Sequence, residues 1–197
     1  METIILASAS EQRRAFFELI GLPFKTIPSN LEEHIDKSLE LDLALEKLAM
    51  EKAKKVSQTL KKSEKTWVFG ADTVIFLDNE VLGKPKDREH ARQMLFLLQG
   101  QTHEVISAIS LINEARNIFD SCSNKSSVTF SPMTDKEIEW YLDTNEWKGA
   151  AGAYKIQGLG SCFISSINGS YSSIMGLPLN EFYDMLKRNS YPFDRIG

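Results

Sequence analysis

The chain has 197 residues, 42% of them hydrophobic and 25% charged, with a formal net charge of −4. That length suits one domain, or one domain folded as two lobes around a cleft, and the composition excludes a disordered chain. The negative balance excludes a general nucleic-acid binder, which carries a basic face, so any anionic ligand must be held by local cations.

The opening residues Met1-Glu2-Thr3-Ile4-Ile5-Leu6 are too short and too acidic for a signal peptide. Residues 3–6 are β-branched and apolar, and suit a buried strand. Ser8 and Glu11 then stand at the spacing of a capping box, predicting a helix that ends at Ile20 with Gly21 as its cap. Arg13 and Arg14 fall in its first turns, where the helix dipole disfavours cations. A phosphate held at the helix start would account for them, and so would two solvated arginines on a surface helix.

Residues 24–31 read as extended, and Glu32-Glu33-His34 as a solvated acidic patch. Residues 36–60 read as one long helix, with Leu45, Leu48, Ala49, Val56 and Leu60 at helical spacing. Lys52 lies inside that apolar stripe, four residues from both Leu48 and Val56. It either snorkels from the core edge or reaches into a cleft toward an anion.

The run from Val68 to Ile75 is apolar except for Asp72 and Thr73. A buried charge without partners is expensive and Asp is disfavoured in strands, so Asp72 is expected where a strand meets a cleft. Asp78-Asn79 suits a tight hairpin turn. Gly83 and Pro85 flank Lys84 and suit a cation held in place.

A helix is predicted over 88–98, closed by Gly100. Residues 102–112 form the longest β-like segment, in which His103 reads as structural. Residues 128–130 are a further short strand. Thr134 and Glu137 form a second capping box before a helix containing Ile138, Tyr141 and Leu142. The glycines at 149, 152, 158 and 160 suggest a loop that comes close to something, although they match neither phosphate-loop nor dinucleotide spacing. Residues 162–167 read as a strand, 169–177 as a turn-rich loop, and Pro178 opens a last helix to about Arg188.

Cys122 and Cys162 have no close spacing, so neither a zinc site nor a disulfide framework is implied. Free thiols fit a reducing, cytoplasmic setting, and no run approaches a membrane span. With no repeats or linkers, residues 1–197 are expected to form a single α/β domain.

Three placed cations, Arg13, Lys52 and Lys84, and two carboxylates, Asp72 and Glu33, thus stand out. That set suits metal-assisted chemistry on a polyphosphate, in which a divalent ion bridges carboxylate and phosphate oxygens and a carboxylate activates water.

The order and spacing of several short strings carry a more specific message. They are Leu6-Ala7-Ser8-Ala9-Ser10 with Arg13, then Glu33, Leu48-Ala49 with Glu51-Lys52-Ala53, Gly70-Ala71-Asp72-Thr73-Val74 and Gly83-Lys84-Pro85. Leu98-Gln99-Gly100 with His103, Ala151-Gly152-Ala153-Tyr154, Ile156-Gln157-Gly158, Ile167-Asn168-Gly169-Ser170-Tyr171 and Gly176-Leu177-Pro178-Leu179 continue the series. With these the chain resembles, nearly end to end, the Maf family of nucleoside triphosphate pyrophosphatases.

The resemblance implies an inosine triphosphate pyrophosphatase-like fold, a mixed twisted sheet flanked by helices, with two lobes around a central cleft. It implies hydrolysis of a nucleoside triphosphate to the monophosphate and pyrophosphate with a divalent cation, Mg or Mn. Asp72 matches the catalytic carboxylate and Glu33, with Asp72, the metal-associated carboxylates. Ser8, Arg13, Lys52 and Lys84 match triphosphate-holding positions, and Thr73 and Gln157 match positions tied to base choice in the dTTP/UTP branch. A homodimer is a family expectation.

The chain departs from that branch at the first turn. Gln12 stands where the branch has a specificity arginine, Glu11 adds a negative charge, and Ser173 replaces a common Asn. The same chemistry with another base preference, 7-methyl-GTP or CTP, is therefore one alternative. A nucleotide-binding regulator of septum formation is the other.

Overall fold

The computed structural model describes residues 1–61, 63 and 65–193. Among the described residues, seven strands form one mixed sheet, in the order β2-β1-β3-β5-β6-β7, with β4 paired to β3. The strands are β1 (Ile4–Leu6), β2 (Phe24–Thr26), β3 (Trp67–Leu77), β4 (Glu80–Leu82), β5 (Thr102–Asn113), β6 (Ile118–Phe130) and β7 (Ile164–Asn168). The helices are α1 (Glu11–Leu19), α2 (Leu41–Ser57), α3 (Arg88–Leu98), α4 (Asp135–Asp143), α5 (Tyr171–Ile174) and α6 (Leu179–Arg188). β1 runs parallel to β2 and β3, while β3–β4 and β6–β7 are antiparallel. Among the described residues no helix is long and apolar enough to cross a membrane.

The chain's internal contacts divide it into two compact units. Unit one takes Met1–Asp72, Ser107–Asn124 and the chain from Gly176 onward; unit two takes Thr73–Ile106 and Lys125–Met175. In unit one, Phe17 packs against Phe69 and Phe182 with ring centroids 5.4 and 5.2 Å away. A second layer there joins Ile5, Ala7, Ala53, Val56, Val68 and Ile112. The core of unit two is built on Leu95, Leu98, Val105, Phe130, Tyr141 and Tyr154.

Several expected boundaries shift for identifiable reasons. Helix α1 is capped by Ser10, whose side chain accepts the Arg13 N–H, rather than by Ser8. Helix α2 begins at Leu41 instead of 36, because the Asp36 carboxylate takes the Ser38 N–H and hydroxyl in a local turn that competes with the helix. It ends at Ser57 rather than 60. The extended stretch after Pro23 pairs only over Phe24–Thr26.

The largest departure is β6, expected only over 128–130 but running 13 residues, one longer than β5. Its polar first half escapes the alternation rule because its side chains meet polar groups. Ser121 and Ser123 donate to Glu46, Asn124 to Glu181, and Asp120 accepts from Arg188. β7 starts at Ile164 after a 3₁₀ stretch over Leu159–Phe163, and the expected loop at 169–177 contains α5, capped by Ser170.

The turn at Asp78-Asn79 has positive φ at both residues, 49° and 66°, the geometry of a tight two-residue hairpin. Thr134 and Glu137 form a full capping box on α4.

Candidate active site

Helix α2 and strand β3 bring the first pair together. Ala44, Leu45, Leu48, Ala49, Lys52, Ala53 and Val56 form the buried face of α2, so Lys52 points inward with the apolar residues. The helix can lie close to β3 because Gly70 has no side chain. A Cβ there would meet the Ala49 carbonyl oxygen at 2.1 Å and the Ala53 nitrogen at 3.0 Å. Asp72, two residues along, projects from the same face of the strand as Gly70.

The result is a buried Lys52 ammonium bonded to Asp72 Oδ1 and, at 2.7 Å, to Glu33 Oε1. Lys52 and Asp72 are 6% and 7% exposed. Glu33 arrives from the loop before α2 and its side chain stays half open to solvent. The acidic patch at 32–34 is therefore split: Glu33 faces the lysine, whereas Glu32 and His34 are solvated.

Arg13 closes the other side. Its Nη1 donates to the Ala71 carbonyl at 3.0 Å and to Ser8 Oγ at 3.2 Å, and its Nε donates to the Gly176 carbonyl at 2.9 Å. Burial lowers the guanidinium's pKa, and the charges of Asp72 and Glu33 oppose that shift. Ser8 also accepts the Ser10 N–H, so one hydroxyl ties the α1 start to the arginine. Arg14, in contrast, is an exposed partner of Glu18.

Unit one thus brings together five of the expected site residues: Ser8, Arg13, Glu33, Lys52 and Asp72. Gln12 lies half-buried on α1, outside this network. Lys84, Thr73 and Gln157 belong to unit two. Lys84 and Gln157 are exposed and Thr73 is partly buried. Gly83 next to Lys84 has open space where a Cβ would stand and needs no positive φ, so glycine is not demanded there. What holds the Lys84 segment is the Gly83 carbonyl, which accepts the Gly152 N–H at 2.9 Å.

The glycine loop comes close to the protein's own groups. A Cβ at Gly152 would strike Ile75 at 2.2 Å, and one at Gly158 would strike the Glu146 carboxylate at 2.4 Å. Sequence reasoning did not single out the Gly176 carbonyl or the Ala71 carbonyl, since a backbone acceptor carries no residue-type signal. Gly70 did have a signal, a glycine inside a strand, which marks a close backbone approach.

Among the described residues there is no group of three or more His, Cys, Asp or Glu placed to hold a metal ion. Asp72 and Glu33 nonetheless present two hard oxygen donors to one point, now occupied by the Lys52 ammonium. Such a pair fits Mg²⁺ or Mn²⁺, which needs only one or two carboxylates when phosphate oxygens and waters complete its shell.

A family model described as Maf-like protein matches residues 3–189. The chain is 43% identical over 187 residues to a dTTP/UTP pyrophosphatase of Escherichia coli strain K12, covering 94% of this chain and 92% of the relative. It is 42% identical, with the same coverage, to a Shigella flexneri protein called nucleoside triphosphate pyrophosphatase. Among solved structures it is similar to a Mycobacterium abscessus nucleoside-triphosphatase / dITP/XTP pyrophosphatase, at 10% identity and a TM-score of 0.45, over 95% of this chain and 96% of that one.

Proposed function

Because this chain belongs to the Maf-like family, we propose that it hydrolyses a nucleoside triphosphate of the dTTP/UTP type to the monophosphate and pyrophosphate. The observation that carries this reading is the Asp72–Lys52–Glu33 cluster beside buried Arg13.

Asp72 is the base. Its carboxylate, held by Lys52 and facing the Arg13 charge, orients a water and takes its proton as the water oxygen attacks the α-phosphorus. The bond to the bridging oxygen of the β-phosphate breaks, and pyrophosphate leaves. Lys52 and Arg13 neutralise charge on the phosphate oxygens as it develops, in a site from which bulk water is largely removed. Ser8 keeps Arg13 in register, and Lys84 is assigned to the phosphate chain. Glu33 and Asp72 would hold the divalent cation, which when bound supplies further charge neutralisation on the phosphates.

Base choice is assigned to Thr73 and Gln157, with Gln12 as a further contributor. A panel of nucleoside triphosphates, assayed with Mg²⁺ or Mn²⁺ for pyrophosphate against orthophosphate, tests the reading. UTP and dTTP are expected to be the best substrates and pyrophosphate the product. Orthophosphate alone would discard α–β cleavage, and a preference for CTP or 7-methyl-GTP would discard the base assignment. Gln12→Arg should shift the relative rates if that position reads the substrate.

A further inference from the structure

Glu146 follows α4 and is partly buried, and the cation cluster makes no use of it. Its carboxylate collects donors from the segment that carries Gln157. Oε2 accepts the Leu159 N–H at 3.0 Å, and Oε1 accepts the Gly160 N–H at 3.0 Å and the Tyr141 hydroxyl at 3.1 Å. The Tyr141 oxygen in turn accepts the Lys155 N–H at 3.2 Å.

Residues 155 and 159–160 are therefore tied, through their backbone, to one linked carboxylate–phenol pair, and Gln157 lies between the ties. Gly158 adds an independent sign of the same arrangement. Its φ of −119° is open to any residue, yet a Cβ there would stand 2.4 Å from a Glu146 oxygen. The nearest atoms a Cβ would meet are those of the Glu146 carboxylate, which its donors hold in place. Tyr141 is wholly buried on α4 and edge-on to Phe163, so its ring is fixed by packing. Burial and the neighbouring Glu146 push its pKa upward, which keeps the hydroxyl available as a donor.

We propose that Glu146, with Tyr141, is a positioning residue for nucleobase selection: it fixes the backbone that presents Gln157 without touching the nucleotide itself. The proposal rests on the reading of Gln157 as a base reader. A glutamine at 146 offers one acceptor oxygen and one amide NH₂, so one of the two backbone N–H groups would face another donor. The segment would lose its fixed geometry while Asp72, Lys52 and Arg13, all in unit one, keep theirs.

The test is steady-state kinetics on UTP, dTTP, CTP and GTP for Glu146→Gln, Tyr141→Phe and Gln157→Ala, with a thermal melt of each. Leaving the part-buried Gly160 N–H without its acceptor corresponds to at most roughly a tenfold change in an equilibrium. The expected result is a rise of about tenfold in KM for UTP and dTTP in Glu146→Gln, with kcat close to that of the parent enzyme. The preference for UTP over CTP should narrow as it does in Gln157→Ala.

Tyr141→Phe keeps the ring and removes only the bridging hydroxyl, so it should shift KM and preference in the same sense. It carries the test if Glu146→Gln does not fold. If Gln157→Ala alters preference and neither of the other variants does, positioning by Glu146 is wrong. An unchanged preference in Gln157→Ala removes the base-reader assignment, and the proposal falls with it. A uniform loss of kcat on all four nucleotides, with a lower melting temperature, would make Glu146 merely structural.

Discussion

Both units of the molecule hold a carboxylate among hydrogen-bond donors, but the donors differ in kind. Asp72 in unit one faces the Lys52 ammonium and the Arg13 guanidinium, which carry full charge. Glu146 in unit two faces two backbone N–H groups and a phenol, which are neutral. A buried polar pair of unit two, His103 Nε2 with the Tyr154 hydroxyl at 2.8 Å, is neutral as well. A charged cluster can exchange partners when a polyanion arrives, because its cations suit phosphate as well as carboxylate. Neutral backbone donors have no such second use, and their carboxylate serves geometry. On the proposed function, the difference separates a group that reacts from a group that holds.

Removing the charge from Asp72 has the largest expected effect. Asp72→Asn keeps the shape but cannot take a proton, so turnover should fall by about a hundredfold to ten-thousandfold, the range of general-base catalysis. Binding of a non-hydrolysable UTP analogue, read by calorimetry, should largely persist. An active Asp72→Asn enzyme would take Asp72 out of the mechanism and leave the two carboxylates alike in role.

Gly70→Ala comes next. Its methyl group would sit 2.1 Å from the Ala49 carbonyl oxygen, a backbone atom that cannot swing aside. A loss of about 1–3 kcal/mol is expected from overpacking, visible as a lower melting temperature, together with reduced kcat as Lys52 is displaced from Asp72. Gly83→Ala, where space is open, should melt like the parent chain. Equal behaviour of the two variants would show that the close approach of α2 to β3 does not matter.

The last effect concerns pH and tests the neutrality of the buried His103–Tyr154 pair. Burial pushes His103 down from 6.5 to about 4. Its folded pKa lies below its unfolded one, so above pH 6.5 the group contributes nothing. As pH falls from 6.5 toward 4 the unfolded chain takes up the proton first, and stability declines until the folded histidine also titrates near 4. The loss is at most about 3 kcal/mol. His103→Gln should flatten the fall of melting temperature across that window. A parent chain with no such fall would mean that His103 is not held neutral.

The charged cluster of the candidate site was legible in the sequence because each member broke a local rule. Asp72 interrupts an apolar strand, Lys52 interrupts an apolar helical stripe, and Arg13 stands at the wrong end of a helix dipole. Glu146 broke no rule, since an exposed-looking glutamate in a glycine-rich stretch is ordinary until its backbone partners are seen. The first half of β6 was hidden for a related reason: its serines and asparagine find Glu46 and Glu181 on neighbouring helices, so polarity there signals partners rather than solvent. Ser8 and Ser10 are equivalent to any spacing rule that tolerates two residues of slip. Only the fold decides that Ser10 caps the helix while Ser8 holds Arg13.

Gly70 has a consequence for anyone who would graft this chemistry onto another scaffold. Copying the charged residues alone would transplant a list, because the distance between Lys52 and Asp72 is set by atoms that are missing. The transplant must carry Gly70 and the two small residues of α2, Ala49 and Ala53, that a Cβ there would meet, together with Ser110, whose hydroxyl would lie 3.0 Å from that Cβ. Those four uncharged positions are the template for the ion pair, and a host that cannot accommodate so close a helix–strand seam cannot host the pair.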